Sequence, residues 1–235
     1  MFLTIPGYRI ETQIYESNRS AIFRAVRLTD NLPVILKALN PITISREAIG
    51  RLQREYTITQ QLAGPGIITA LDFITAQPSP VIVMEDYGGQ SIASLLHTSI
   101  PTLADTLTIA IQIGQALGSI HQQNIIHKDI NPANILWNPQ QHSSKIIDFG
   151  LASTLSRENP EIRNSNILEG TLAYISPEQT GRMNRAMDYR SDFYSFGAAL
   201  YHMLTGAPPF TGQEAMELVH AHIARQPLPP HQINT

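Results

Sequence analysis

Cysteine is absent from all 235 residues, so disulfides and thiolate metal sites are excluded and a reducing compartment is allowed. Long apolar runs are missing too. No stretch approaches a membrane span, and the start, "MFLTIPGYRI", lacks the basic end and apolar run of a secretory leader. Neither sign of charge dominates: 16 Lys and Arg face 19 Asp and Glu, a net −3. A scattered, near-neutral balance excludes a basic glove for nucleic acid and a polybasic membrane patch. No repeat or low-complexity segment occurs. These absences point to a soluble cytoplasmic protein. The apolar content of 43% suffices for one sizeable domain or two packed lobes.

The first third alternates and turns. "YRIETQIY", "SAIFRAVRL" and "PVILKALN" are rich in β-branched and aromatic residues, with "ESNRS" and "DNLP" between them, which predicts an antiparallel meander. The period then changes. "SREAIGRLQREYTITQQLA" opens on a candidate N-cap, Ser45, and sets Ile49, Leu52, Tyr56, Thr59 and Leu62 at helical spacing. Gly64-Pro65-Gly66 stops it, and "GIITALDFITA" and "SPVIVMEDY" read as two further strands.

A lobe boundary is expected at Gly88-Gly89, after which the chain is mainly helical. In "LADTLTIAIQIGQALGSIHQQN" the residues Leu103, Leu107, Ala110, Ile111, Gly114, Leu117 and His121 share a predicted face. "NILW" and "KIIDF" suit a small hairpin. "RSDFYSFGAALYHMLTG" is apolar nearly all round and is expected to be buried on every side. "GQEAMELVHAHIAR" is a last amphipathic helix before a polar, proline-rich tail. His121, His202, His220 and His222 read as helix-face residues and not as a metal site. The fold class is α+β: a small antiparallel β lobe with one helix, then a larger helical lobe.

Polar residues gather in "HKDINPANIL", residues 127 to 136, and in the "DFG" that begins at Asp148. Phosphoryl transfer needs few covalent partners but much positioning and charge neutralisation. It needs a carboxylate beside the attacking hydroxyl, oxygen ligands for Mg2+, and a fixed cation on the phosphates. Asp129, Asn134, Asp148, Lys37 and Glu55 supply those residue types. Singly they have plain structural readings as well: a turn acid, a loop amide, a solvent-facing helix glutamate.

In order and spacing they resemble the catalytic loop H-R-D-L-x-x-x-N and magnesium loop D-F-G of eukaryotic-type, or Hanks-type, serine/threonine protein kinases. Lys37 ends "PVILK" where that family has V-A-I-K, and "GTLAYISPE" resembles the end of its activation segment, with Ser176-Pro177-Glu178 in place of A-P-E. The likeness runs from about residue 8 to about 225. It implies a bilobal kinase domain over 8–235, with lobes 8–88 and 89–235, lacking the last helices that family members have after the position of residue 225.

The resemblance also implies roles. Asp129 would steer the proton of the acceptor hydroxyl, Asn134 and Asp148 would bind Mg2+, and Lys37, paired with Glu55, would hold the phosphates of ATP. Met84 and Glu85 would border the adenine, with Ile22, Ile35 and Leu136 around the ring, and Tyr15, Ser17 and Ser20 over the phosphates. His127, Phe149 and Thr59 would stack behind the site. Thr171, Ser176 and Glu178 would shape the substrate segment, with Thr171 bonded to Asp129 as in kinases acting on Ser or Thr of proteins. More narrowly, "QTGRMNRAMDYRSD" is similar to the N-terminal kinase domain of bacterial, notably cyanobacterial, sensor proteins, where ATPase, GAF and histidine kinase modules follow.

The pattern departs from the family at five points. The three glycines of G-x-G-x-x-G fall on Tyr15, Ser17 and Ser20, which predicts loose phosphate cover. Ile35 replaces an alanine and narrows the adenine pocket. Lys128 replaces the arginine of H-R-D and lacks its fork. Asn131 replaces a lysine that touches the transferring phosphate. Glu178 is expected to lack its family partner. Ser153, Thr154, Ser156 and Ser165 are candidate phosphorylation sites, or solvated loop hydroxyls. Two other functions fit part of the pattern: a pseudokinase that binds nucleotide without transfer, and a small-molecule kinase like those for aminoglycosides or choline.

Overall fold

Pairing of the early β-branched runs builds the first sheet. The computed structural model describes residues 5–75, 79–154, 171–183, 186–212 and 214–234, and everything below concerns those residues. The chain divides into two compact units, Met1–Gly88 and Gly89–Thr235.

In the first unit, β1 (Tyr8–Glu16), β2 (Ser20–Arg27) and β3 (Leu32–Leu39) form the expected meander. Helix α1 (Arg46–Gln61) follows, then β4 (Ala70–Ile74) and β5 (Val81–Glu85), giving a sheet of order β1-β2-β3-β5-β4 with every pair antiparallel. Strand side chains alternate between faces. Val34, Leu36 and Ala38 therefore join Ala25, Val81, Val83 and Ile5 in one core layer. Ile35 and Lys37 point the other way, opposite Met84 and Ile82 on β5 and opposite Arg24 and Ile22 on β2. Ser45 does cap α1, its Oγ accepting from the Ala48 amide at 3.1 Å.

The second unit contains β6 (Gln90–Ser91), α2 (Ile92–Leu96), α3 (Leu103–Gln122), β7 (Ile125–Ile126), β8 (Ile135–Asn138), β9 (Ser143–Ile146), β10 (Ser153–Thr154), α4 (Arg190–Thr205) and α5 (Ala215–Ala224). Short 3-10 turns occupy Pro132–Asn134, Leu172–Tyr174 and Pro177–Thr180. The hairpin read from "NILW" and "KIIDF" is β8-β9, with β6 added beside β8. Strand β10 pairs with β7, setting Ser153 opposite Ile126 and Thr154 opposite Ile125. These two hydroxyl residues are thus part of a ladder and half-buried, not solvated loop positions. Ser156 and Ser165 lie outside the described residues.

Two helix predictions are corrected. The face read for α3 is wrong along its first half: Leu103, Leu107 and Ile111 are exposed, while Thr106, Ile109, Ile113, Ala116, Leu117 and Ile120 are buried. The buried set recurs at three- and four-residue spacing, and Gln112, at its margin, is tied to the β8-β9 hairpin. Gln112 Oε1 accepts from the Ser144 amide at 2.7 Å and hydroxyl at 2.8 Å, and its Nε2 donates to the His142 carbonyl at 2.9 Å. Helix α4 is likewise not buried all round. Phe193 is 45% exposed and Gly197 has open space beside it, although Ser195, Phe196, Ala198, Ala199 and Met203 are in the core.

Candidate active site

Lys37 stands on β3 with its side chain on the face away from the core layer. Its Nζ meets Glu55 Oε1 of α1 at 2.6 Å, and both side chains are buried. A buried ammonium without a counter-charge carries a desolvation cost of several kcal/mol, roughly, which the carboxylate offsets. Glu55 therefore does not face solvent. It shares the buried face of α1 with Leu52, Ile58 and Thr59. Ile35 lies next to Lys37 on the same face, directly across from Met84. Glu85 accepts the Thr69 amide on Oε1 at 2.7 Å and donates its own amide to the Thr69 carbonyl at 3.0 Å.

The turn that lacks glycine is closed by its own hydroxyl. Ser17 Oγ accepts from the amides of Arg19 at 3.2 Å and Ser20 at 3.1 Å and donates to the Ser20 carbonyl at 3.1 Å. Asn40 Nδ2 adds a bond to the Ser17 carbonyl at 3.1 Å. Tyr15 is exposed on β1 opposite Ile22. The turn is stapled because serine brings an acceptor where glycine brings none.

In the second unit the polar cluster is dense. Asp129 Oδ1 accepts from the amide of Thr171 at 2.9 Å and from its hydroxyl at 3.0 Å. Asp129 Oδ2 accepts from Asn134 Nδ2 at 2.9 Å, and the same nitrogen donates to the Asp129 carbonyl at 2.8 Å. Burial raises the Asp129 carboxyl above its ordinary value, and the charge of Asp148 adds to this. His127 and the Thr171 hydrogen bonds pull the other way. Asp148 itself sits at φ 64°, a left-handed conformation that Asp tolerates better than most residues, and its Oδ1 accepts the Gly150 amide at 3.1 Å. Strained backbone of this kind gathers at functional sites. Leu136 is half-buried on β8. The rings of His127 and Phe149, both fully buried, meet edge to face at 4.8 Å.

The substrate-side segment is anchored as well. Ser176 and Gln179 form a capping box, through bonds from Ser176 to Gln179 Oε1 at 3.1 and 3.0 Å. Gln179 Nε2 reaches the Lys128 carbonyl at 2.7 Å. Glu178 has a partner after all: its Oε1 accepts from the Ser191 hydroxyl at 2.8 Å, at the start of α4. The positive end of that helix suits a carboxylate.

Asp192 and Gln179 have no role in the sequence pattern. Asp192, fully buried, accepts from the amides of His127 at 2.9 Å and Lys128 at 2.8 Å and contacts His121 Nε2 at 2.8 Å. It holds the polypeptide just before Asp129. The signal for it is an acid inside the apolar run "SDFYSFGAALYHML", which must find donors once buried. No cluster of three or more His, Cys, Asp or Glu able to hold a metal occurs among the described residues, and none of their helices is long and apolar enough to cross a membrane.

Comparison with known proteins bears on this geometry. The family model described as protein kinase domain matches residues 8–233. The chain is 32% identical over 231 residues to serine/threonine-protein kinase pkn3 of Myxococcus xanthus, covering 95% of this chain and 42% of that protein. It is 35% identical over 185 residues to serine/threonine-protein kinase PknB of Mycobacterium tuberculosis, covering 77% of this chain and 29% of that protein. It is 30% identical over 230 residues to the probable serine/threonine-protein kinase CPE1738 of Clostridium perfringens, covering 97% of this chain and 33% of that protein. The chain thus spans less than half the length of each of these relatives.

Proposed function

This chain belongs to the protein kinase domain family and classes with the serine/threonine protein kinases, which are transferases; from that premise we propose that it transfers the terminal phosphoryl group of ATP to Ser or Thr of a protein substrate, in signalling. The observation that carries the reading is Asp129, whose two oxygens are held separately by Thr171 and Asn134. A carboxylate so fixed keeps acceptor capacity on Oδ2 for the proton of an incoming hydroxyl.

The residues present fit the nucleotide and metal. Asn134 and Asp148 would hold the ion through one amide and one carboxylate oxygen. That sparse, hard donor set suits Mg2+, which takes its remaining ligands from phosphate and water. When bound, ATP with Mg2+ supplies the phosphoryl group and offsets its charge. Lys37, kept in place by Glu55, would orient the phosphates. Ile22, Ile35, Met84 and Leu136 would border the base, and Thr171, Ser176 and Glu178 would present the acceptor peptide. Similarity of "QTGRMNRAMDYRSD" to sensor-protein kinases supports a place ahead of ATPase and sensor modules in a longer chain. A reading frame without them would remove that part of the reading.

Incorporation of labelled phosphate with Mg2+ tests the proposal. Wild-type chain is expected to label a protein acceptor, and Asp129→Asn and Lys37→Met to lower the rate at least a hundredfold, roughly. Equal labelling by all three would refute it. A second reading, a pseudokinase without significant transfer, is favoured by the Ser17 staple, which takes up two amides that a glycine-rich loop offers to phosphates and so loosens the hold on the transferring group. ATP-dependent thermal stabilisation without labelling would select it.

A further inference from the structure

Asn131 occupies the place where the resemblance expects a lysine, yet its side chain is fully engaged. It is 2% exposed. Its Oδ1 accepts from the Ala133 amide at 2.8 Å, capping the turn Pro132–Asn134. A backbone N–H only donates, so this contact decides which end of the side chain is oxygen. Nδ2 then faces the Asp129 carbonyl at 3.0 Å and the Thr171 hydroxyl at 3.1 Å. Beside a donor, Thr171 Oγ1 must accept. Its own proton is left to point at Asp129 Oδ1, 3.0 Å away.

We propose that Asn131 is a positioning residue for phosphoryl transfer: its amide orients the Thr171 hydroxyl toward Asp129 Oδ1, and so holds the carboxylate with Oδ2 turned to the acceptor. The inference rests on the transfer reading above. The chain of hydrogen bonds runs from the Ala133 amide through Asn131 and Thr171 to Asp129, and the two N–H groups of Asn131 Nδ2 serve the Asp129 carbonyl and the Thr171 hydroxyl. A lysine has donors only and cannot take the Ala133 amide. The asparagine thus exchanges charge on the phosphate for order around the carboxylate. Its removal should slow the chemical step and leave nucleotide affinity alone, because none of its three hydrogen bonds is to a residue assigned to the nucleotide phosphates.

The test uses Asn131→Ser, Thr171→Val and the double variant in the 235-residue chain. Serine at 131 still accepts from the Ala133 amide but is too short to reach Thr171, so the cap is kept while the hydrogen bond to the Thr171 hydroxyl is broken. One readout needs no turnover. The Thr171 amide donates to a carboxylate oxygen, and its proton resonance is expected to move upfield in Asn131→Ser while the rest of the 15N–1H spectrum and the melting temperature stay in place. The other readout is kinetic. Asn131→Ser should lower kcat about tenfold, the rate equivalent of one hydrogen bond, with KM for ATP changed less than about twofold and no further loss when added to Thr171→Val. An unmoved Thr171 amide, or losses that multiply in the double variant, would overturn the proposal. A wild-type chain that transfers no phosphate refutes the transfer reading, and the amide shift then still decides whether Asn131 orients Thr171.

Discussion

At the scale of single residues, a charge is worth what surrounds it. Lys37 and Glu55 meet at 2.6 Å with both side chains largely buried. Removing one partner of a buried pair leaves a stranded charge and costs about 3–5 kcal/mol, whereas replacing both by apolar residues is roughly neutral. Glu55→Ala should therefore lower the urea midpoint more than the double change Lys37→Met with Glu55→Leu. Equal midpoints would show that the pair is not desolvated in solution. The candidate residues for the chemistry were legible in the sequence, because Lys37, Glu55, Asp129, Asn134 and Asp148 keep a fixed order and spacing. Their partners were not. The sequence offers Glu178 no visible partner in place of its family one, and the fold brings Ser191 to it, 13 residues along the chain. Asp192 read as part of an apolar helix until it was found beneath His127 and Lys128, 65 and 64 residues away.

Elements show the limit of periodicity. Helix α3 carries apolar residues on several sides, so hydrophobicity alone does not choose the face. The observed face is rotated by about a quarter turn from the expected one, taking 100° per residue. Burial of Ile109, Ile113, Leu117 and Ile120 goes with it, and Gln112 bonds Ser144 and His142 at its margin. Ile109→Ala and Ile113→Ala should each cost about 2–5 kcal/mol in denaturant unfolding, and Leu107→Gln and Ile111→Gln about 0.5 kcal/mol or less. The reverse ranking would restore the sequence-based face. In the turn between β1 and β2, Ser17→Gly should release the amides of Arg19 and Ser20. The expected outcome is a lower Kd for ATP by calorimetry. Weaker binding would mean that the staple preorganises the turn for phosphate.

For the molecule as a whole, pH reads the buried groups together. Burial lowers His202 and His222 from the ordinary 6.5 and pushes Tyr174 and Tyr194 up to about 12 from 10.0. His202 Nδ1 lies 2.6 Å from the Tyr174 hydroxyl, and His222 Nδ1 lies 2.8 Å from that of Tyr194. A depressed imidazole contributes stability that is present above 6.5 and lost as pH falls through the lowered folded value. A raised phenol contributes stability that is present below 10.0 and lost as pH rises toward about 12. The melting temperature should thus fall off on both sides of a plateau from about pH 6.5 to about pH 10, and Tyr194→Phe should flatten the alkaline limb. An alkaline limb unchanged in Tyr194→Phe would remove that tyrosine from the account. The sequence by itself determined the strands of the first sheet, the capped start of α1 and the order of the candidate catalytic residue types, since propensity, capping and motif spacing are local along the chain. Only the tertiary structure decided which face of α3 is buried, that Ser17 closes its own turn, and that Asn131, Thr171 and Asp129 are joined. Those outcomes depend on hydrogen bonds whose direction exists only once the backbone is folded.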